Sequence, residues 1–306
     1  MERKFIDWLR ERLPPHPQVW IGPGDDAAVL RLVRGSDCVL TTDLVCDGVD
    51  FHLHEVGALR AGRKALAVNL SDLAAMAARP LAVVVALLLP RGQAREVAEG
   101  LCAGMLPLAE EFGVAICGGD VNMWDGRLAV SIAAVGETTP HGPLRRSGAR
   151  PGDRIVVTGA FGGSILGKHL DFVPRVREAL LLHERYPLHA GIDVSDGLSL
   201  DLWRLARESG VGAEIRLDAV PIAPDAERLA RQSADGSTPL DHALSDGEDF
   251  ELILAVPPDA ARQMLAQQPL GVPLTDIGEF CTEPGLWQVD AQGHRTPLEP
   301  RGFEYE

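Results

Sequence analysis

The chain has 306 residues, is 46% hydrophobic and carries 44 acidic against 29 basic side chains, a formal charge of −15. No block of Lys or Arg stands out, which argues against nucleic acid or an anionic membrane as partner, although divalent metal can still bring phosphate to acids. The length suggests roughly two domains, and five scattered cysteines without a C-x-x-C argue against a disulfide scaffold or zinc site and fit a reducing cytoplasm.

The opening "MERKFIDWLRERL" is charged throughout and lacks the apolar stretch of a signal peptide. Phe5, Trp8, Leu9 and Leu13 recur at helical spacing, and Pro14-Pro15 ends that helix. "AAVLRLV", the turn "RGSD" and "CVLTTD" predict a hairpin. Residues 58–78, rich in Ala and Leu, predict a long helix. "LAVVVALLL" (81–89) is too short to span a bilayer and predicts a fully buried strand. A helix over about 93–112, a short strand "VAIC", a "GGD" loop and a strand "RLAVSIAAVGE" follow. The turn-rich "RRSGARPGD" predicts a linker, dividing the chain into residues 1–145 and 146–306.

The second part restarts with strand "RIVVTG", a Gly-rich loop and a helix near 174–184. "AGIDV" predicts a buried strand and "GLSLDLWRLARES" a helix. Strand "AEIRL", helix 223–232, strand "FELILAVP", helix 258–267 and strand "TDIGEF" complete the order. Hairpins mixed with helices predict two mixed α+β domains rather than one doubly wound sheet.

Two nucleotide fingerprints fail on context. "GPGDDA" (22–27) matches G-x-G-x-x-A, but a hairpin follows where a helix is required, and two acids stand where a pyrophosphate should. "GGSILGKH" (162–169) matches G-x-x-x-x-G-K, but His169 replaces the Ser or Thr that holds magnesium. Its glycines are equally compatible with cradling phosphate and with turning the chain.

The acids carry more information. Asp25 and Asp26 sit in a glycine turn, and Asp43 ends a strand behind Thr41 and Thr42. Asp72 shares a helix face with Asn69, while Leu66, Leu70 and Leu73 face the core. Asp120 follows two glycines, and Asp193 and Asp196 flank Ser195. Any one of them could be a solvated or capping residue, Ser71 and Asp72 included. As a set they end strands or start helices between apolar segments, where converging carboxylates need a cation. Oxygen donors without clustered His or Cys point to magnesium bridging acids to nucleotide phosphates, the constellation of phosphoryl transfer.

In order, "GPGDDAAVL", "TTDLVCDGVDF", "KALAVNLSDLAAM", "GGD", "RRSGARPGD", "VTGAFGGS", "IDVSDGL" and "LSDGEDFEL" resemble the thiamine-monophosphate kinase family. That family lies in the superfamily of aminoimidazole ribonucleotide synthetase and selenophosphate synthetase. The resemblance runs from about Ile21 to Phe303. It implies the superfamily's two α+β domains, the N-terminal one binding ATP and magnesium and dimerising, the C-terminal one completing the active site. It also implies a cytoplasmic homodimer that transfers the ATP γ-phosphate to thiamine monophosphate with several magnesium ions and no Walker loop. By motif position Asp26, Thr41, Thr42, Asp43, Asp72, Asp120, Asp193 and Asp196 are the implied metal set. Gly119, Asp120, Arg146 and Ser195 are the implied ATP contacts, with Asp43, Asp120 and Arg146 carrying the catalysis. Asp50, Glu248 and Phe303 are the implied substrate contacts.

Three positions depart from the family pattern. Asp50 stands where the family usually has histidine, Asp246 replaces a glycine, and Val121 replaces the Thr after "GGD". Either an additional magnesium ion bridges Asp50 to the acceptor phosphate, the favoured expectation, with Asp47 and Asp246 able to join it, or Asp50 turns toward a cationic part of the substrate, or the acceptor is a different molecule. A sister ATP-dependent enzyme with another acceptor, and a non-catalytic nucleotide-binding protein, are the alternative readings.

Overall fold

Residues 19–21, 25, 28–31, 35–233, 236–290 and 292–304 are described by the computed structural model; the helix expected over residues 5–13 and the predicted ligand Asp26 lie outside the described residues. A six-stranded sheet forms from β1 (Val19–Ile21), β2 (Ala28–Arg31), β3 (Asp37–Cys46), β4 (Ala78–Pro90), β5 (Ala115–Trp124) and β6 (Ala129–Thr138). Its order is β1-β2-β3-β6-β4-β5, antiparallel except for the β4–β5 pair. The β2–β3 hairpin is the expected one.

Two helices, α1 (Leu53–Ala75) and α2 (Ala94–Phe112), pack on each other and cover one face of that sheet. They approach closely because Gly104 has no side chain: a Cβ there would lie 1.8 Å from the Leu59 carbonyl oxygen. Gly57 breaks the first turn of α1 with φ 74°, so the continuous helix begins where the composition predicts.

The fully buried strand expected at 81–89 is only half buried. Val83, Val85, Leu87 and Leu89 face the helices, whereas Leu81 and Val84 are 41% and 48% exposed. Helices cover one face alone, so side chains alternate between core and surface. The "GGD" segment is also not a loop: β5 runs through it to Trp124, with a register shift opposite Val83 and Val84 that Gly118, at φ 145°, accommodates.

A seven-stranded sheet forms from β7 (Arg154–Thr158), β8 (Ala190–Asp193), β9 (Gly212–Arg216), β10 (Leu252–Val256), β11 (Leu274–Cys281), β12 (Gly285–Val289) and β13 (Arg295–Pro297), in the order β13-β12-β9-β11-β7-β10-β8. Around it lie α3 (Lys168–Asp171), α4 (Val176–Arg185), α5 (Leu198–Ser209), α6 (Pro224–Gln232), α7 (Pro239–Ser245) and α8 (Pro258–Gln267). Ile155, Val157, Ile253 and Ala255 join one core with Leu198, Leu202 and Leu205 of α5. Val156, Leu254 and Val256 join a second with α4 and α8. Burial on both faces is why these strands read as unbroken apolar runs.

That second core continues through α1 into the first sheet. Helix α1 therefore belongs to both halves, touching β3, β4 and β6 on one side and α3, α4 and β8 on the other. Arg63 strengthens this seam by donating to the carbonyls of Leu170 (3.0 Å) and Phe172 (2.7 Å). Among the described residues no helix is long and apolar enough to cross a membrane.

Candidate active site at the seam

One turn of α1 gathers acids from both sheets. Asp72 accepts a 2.5 Å hydrogen bond from Thr41 Oγ1 on β3, and the adjacent Ser71 donates one of 2.5 Å to Asp193 Oδ2 at the end of β8. Ser71 and Asp193 are buried, at 1% and 3% exposure, so Ser71 is not the solvated residue that the sequence allowed. Leu66, Leu70 and Leu73 fill the core as expected and fix the rotation of the helix.

Two loops meet beyond Asp193. Residues 194–197 follow β8, residues 246–251 precede β10, and three backbone bonds lace them: Phe250 N to Val194 O, Val194 N to Glu251 O, and Glu248 N to Ser195 O at 2.7 Å. Asp201 Oδ2 accepts from the Asp196 and Gly197 amides, and Arg204 bonds both Asp196 and Asp201. Burial, then the neighbouring Asp196 charge, pushes Asp201 up to about 7 against the pull of Arg204. The chain end crosses this loop: Phe303 N donates to Asp196 O at 2.8 Å, leaving the Phe303 ring half exposed.

Four acids lie in residues 246–251, and only Glu248 turns substantially toward solvent. Asp246 accepts from Gly163 N (2.7 Å) and contacts His242 (2.9 Å); Asp249 accepts from Gly162 N (2.9 Å). Glu251 takes a fork from Arg175, two bonds of 2.7 Å, with a third of 2.7 Å from Thr158. Glu248 has φ 52°, a left-handed backbone that a non-glycine residue adopts only under constraint. The Phe250 ring stacks on Phe172 at 4.0 Å and helps to hold that turn.

Lys64 of α1, fully buried, meets Glu248. Its Nζ lies 2.5 Å from Glu248 Oε1, 2.8 Å from the Asp50 carbonyl oxygen and 3.2 Å from His169 Nδ1. Burial alone would lift the Glu248 carboxyl. Hydrogen bonding from His169, with the charge and hydrogen bond of Lys64, outweighs it and holds the group below its ordinary value. Lys64 and His169 escaped the sequence reading, although a lysine inside the apolar run "KALAVNL" was a usable signal.

The Gly-rich stretch is not a phosphate loop in this arrangement. Lys168 points back to the Ala160 carbonyl (2.8 Å), Asp249 (3.3 Å) and Glu251 (3.2 Å), so its charge serves buried acids. Burial raises Asp249 to about 6 even with Lys168 pulling it down. Lys168→Ala is expected to leave ATP turnover largely intact while destabilising the fold by about 1–3 kcal/mol. A carboxyl raised above its unfolded value takes up a proton on folding, so stability falls as pH rises from 4 to 7. The melting-temperature deficit of Lys168→Ala should therefore widen over that range, and a deficit independent of pH would contradict this assignment.

The sequence-predicted residues do not form one cluster. Thr41, Asp43, Asp72 and Asp193 share the helix side of the first sheet. Thr42, bonded to the Ile132 carbonyl at 3.0 Å, is exposed on the other face. Cross-strand register aligns Asp43 with Ile132, Val85 and Gly119, and Leu44 with Ser131, Ala86 and Asp120. Gly119 and Asp120 thus lie three strands from β3, about 14 Å at usual strand spacing, and Asp120 faces outward. The Arg146 amide donates to Asp25 Oδ1 at 3.0 Å, linking the glycine turn to the linker.

The additional ion expected between Asp47, Asp50 and Asp246 has no basis here. Asp47 caps the Leu53 amide at 2.9 Å, Asp50 accepts from the Cys46 amide at 2.6 Å, and Asp246 is turned to the glycine loop. Each carboxylate is already committed to backbone geometry. Among the described residues no three His, Cys, Asp or Glu side chains converge into a ready metal cage. The oxygen-only donors at the seam still suit magnesium, which takes one or two carboxylates and completes its shell with water and phosphate.

Two mixed sheets sharing a helix, with paired acids at the seam, define an AIR synthase related protein. Its N-terminal domain model matches residues 24–138 and its C-terminal domain model residues 159–286. The thiamine-monophosphate kinase of Rhodopirellula baltica is 44% identical over 99% of this chain and 96% of its own. The solved structure of AaThiL complexed with AMPPCP and TMP superposes with a TM-score of 0.84 at 26% identity, covering 98% of this chain and 96% of that one. Thiamine-monophosphate kinase from Stenotrophomonas maltophilia gives 0.74 at 33% identity, covering 93% and 95%. The chain belongs to the thiamine-monophosphate kinase family.

Proposed function

We propose that this protein transfers the γ-phosphoryl group of ATP to thiamine monophosphate, giving ADP and thiamine diphosphate. The observation that carries the reading is the double link of α1, Thr41 to Asp72 and Ser71 to Asp193, which brings acids of both halves to one seam. Magnesium bound there would neutralise phosphate charge. Asp43, Asp72 and Asp193, with Thr41, would hold it, and Asp26 joins them on motif position; Thr42, on the other face of β3, drops out of the set. Asp196, paired with Arg204, orders the loop beside them and serves as a further ligand.

Gly119, Asp120, Arg146 and Ser195 contact ATP in this reading, and Asp50, Glu248 and Phe303 face the acceptor. The accepting phosphate oxygen is already anionic at neutral pH, so the residues need only orient two phosphates and relieve their repulsion. Arg146 contributes positive charge to that task. The reading divides the chain at 145/146 and assigns it to the cytoplasm, consistent with five free cysteines. Purified protein given ATP, magnesium and thiamine monophosphate should yield thiamine diphosphate on chromatography. ATP turnover with only a different acceptor would leave the superfamily and remove this substrate.

The active unit is a homodimer. The uncovered face of the first sheet is apolar, with Leu40, Leu44 and Val84 36%, 61% and 48% exposed. Self-complementary packing of two such faces buries them and brings β5 of one copy toward β3 of the other. Gly119 and Asp120, three strands from Asp43 within one copy, would then act from the interface between copies. Val84→Asp should convert a dimer into a 32.8 kDa species in sedimentation and abolish turnover. A wild-type monomer with full activity would contradict this.

A further inference from the structure

Among the described residues Lys64 is the only lysine or arginine that is fully buried. A buried charge is costly unless paired, and an apolar side chain of similar length would fill the same space at less cost. Packing therefore does not explain it. Its ammonium donates to the Asp50 carbonyl and to Glu248 Oε1, and His169 Nδ1 lies beside it at 3.2 Å.

The partners differ in kind. The Asp50 carbonyl belongs to the turn before α1, while His169 and Glu248 come from the other half of the molecule, 105 and 184 residues away from Lys64. Glu248 is one-third exposed, and its second oxygen lies 3.3 Å from His169 Nδ1. Its backbone is held left-handed by the Ser195 carbonyl, by Ser164 Oγ on the Gly247 carbonyl at 2.7 Å, and by the stacked Phe250. Everything about Glu248 is fixed except the carboxylate, and Lys64 fixes that.

We propose that Lys64 is a positioning residue for phosphoryl-acceptor binding: it locks the Glu248 carboxylate, ionised and in one orientation, toward a cationic ring of the acceptor. This rests on the kinase reading above, in which the acceptor carries a thiazolium cation. Lys64 acts through Glu248 and does not touch the reacting atoms. His169 seconds it from the side of α3.

Initial rates with the full-length protein, varying ATP and thiamine monophosphate separately, test the assignment on Lys64→Met, Glu248→Gln and the double variant. Losing a hydrogen bond to a charged group should raise KM for thiamine monophosphate about ten-fold or more in Lys64→Met, with KM for ATP changed less than about two-fold. The double variant should be no worse than Glu248→Gln alone, because the two residues act as one unit. An unchanged acceptor KM in Lys64→Met, or losses that multiply in the double variant, would overturn the proposal. Should Lys64→Met not fold, His169→Gln and Lys64→Arg replace it, with the same split between the two KM values expected. Wild-type protein that makes no thiamine diphosphate would fail the kinase reading and take this proposal with it. Active wild type with a normal Lys64→Met overturns this proposal alone.

Discussion

Asp43→Asn is expected to lower ATP-dependent turnover by at least ~2 kcal/mol of transition-state stabilisation, about thirty-fold, while leaving the fold unchanged. Asp43 sits on β3 beside Thr41, whose hydroxyl is bonded to Asp72. Amide replaces carboxylate at nearly constant volume, so packing survives and the negative charge that would hold magnesium is lost. Asp120→Asn is expected to lose as much, although Asp120 stands on β5, three strands away. If Asp120 serves a partner's site, mixing Asp43→Asn with Asp120→Asn should raise the activity above that of either variant alone. In mixed dimers one site then has both aspartates. Near-normal turnover in both single variants would refute the shared-metal arrangement.

The second large effect concerns stability. Glu251→Ala removes a carboxylate that accepts both arms of Arg175 and the Thr158 hydroxyl, and it leaves these donors buried. Breaking a buried ion pair from one side costs about 3–5 kcal/mol. For a chain of this size that lowers the melting temperature by on the order of 10 °C. Burial alone would raise the Glu251 carboxyl, but the hydrogen bond and charge of Arg175, with Lys168, hold it below its ordinary value. A depressed carboxyl stabilises above its unfolded pKa and loses that contribution as pH falls through the folded one. The gap between wild type and Glu251→Ala should therefore be full at neutral pH and close in acid. Substituting Arg175→Met together with Glu251→Gln should recover most of the loss, since no uncompensated charge then remains. A gap that persists unchanged in acid would mean that cavity formation dominates.

The stability effect is centred on residues 246–251. Glu251 anchors that segment from below, and Glu248 is the acid it presents at the seam. The glycine loop belongs to the same construction. A Cβ at Gly159 would lie 2.3 Å from Glu251 Oε1, and the Gly162 and Gly163 amides bond Asp249 and Asp246. These glycines shape a scaffold of buried acids, which explains why a P-loop pattern appears without a P-loop's surroundings.

Local pattern alone determined much of this protein. Apolar periodicity predicted the helices at 93–112, 174–184 and 258–267 to within a few residues, and short apolar runs predicted five of the seven strands of the second sheet but not β12 or β13. Leu66, Leu70 and Leu73 could be assigned to the core because a helix repeats every 3.6 residues, and that also set where Asp72 points. The ordered motifs, read together, identified the family. Such features depend on neighbours in the chain, so a sequence displays them.

What the tertiary structure alone decided involves the other side of each element. Nothing local tells "LAVVVALLL" that helices cover only one face of its sheet, or tells "GGD" that β4 will pair with it as a strand. Ser71 could equally have been solvated until β8 supplied Asp193, 122 residues away, and His169 argued against a P-loop without showing that Lys168 serves two buried acids of β10 and its loop. Asp246 and Asp50 looked like neighbours around an ion until each was claimed by a different backbone amide. Lys64 was one lysine in an apolar helix until Glu248 and His169 came to it from the other half. A charged side chain's role is set by which opposite charge or hydrogen-bond partner reaches it, and that pairing is made by packing between segments distant in the chain.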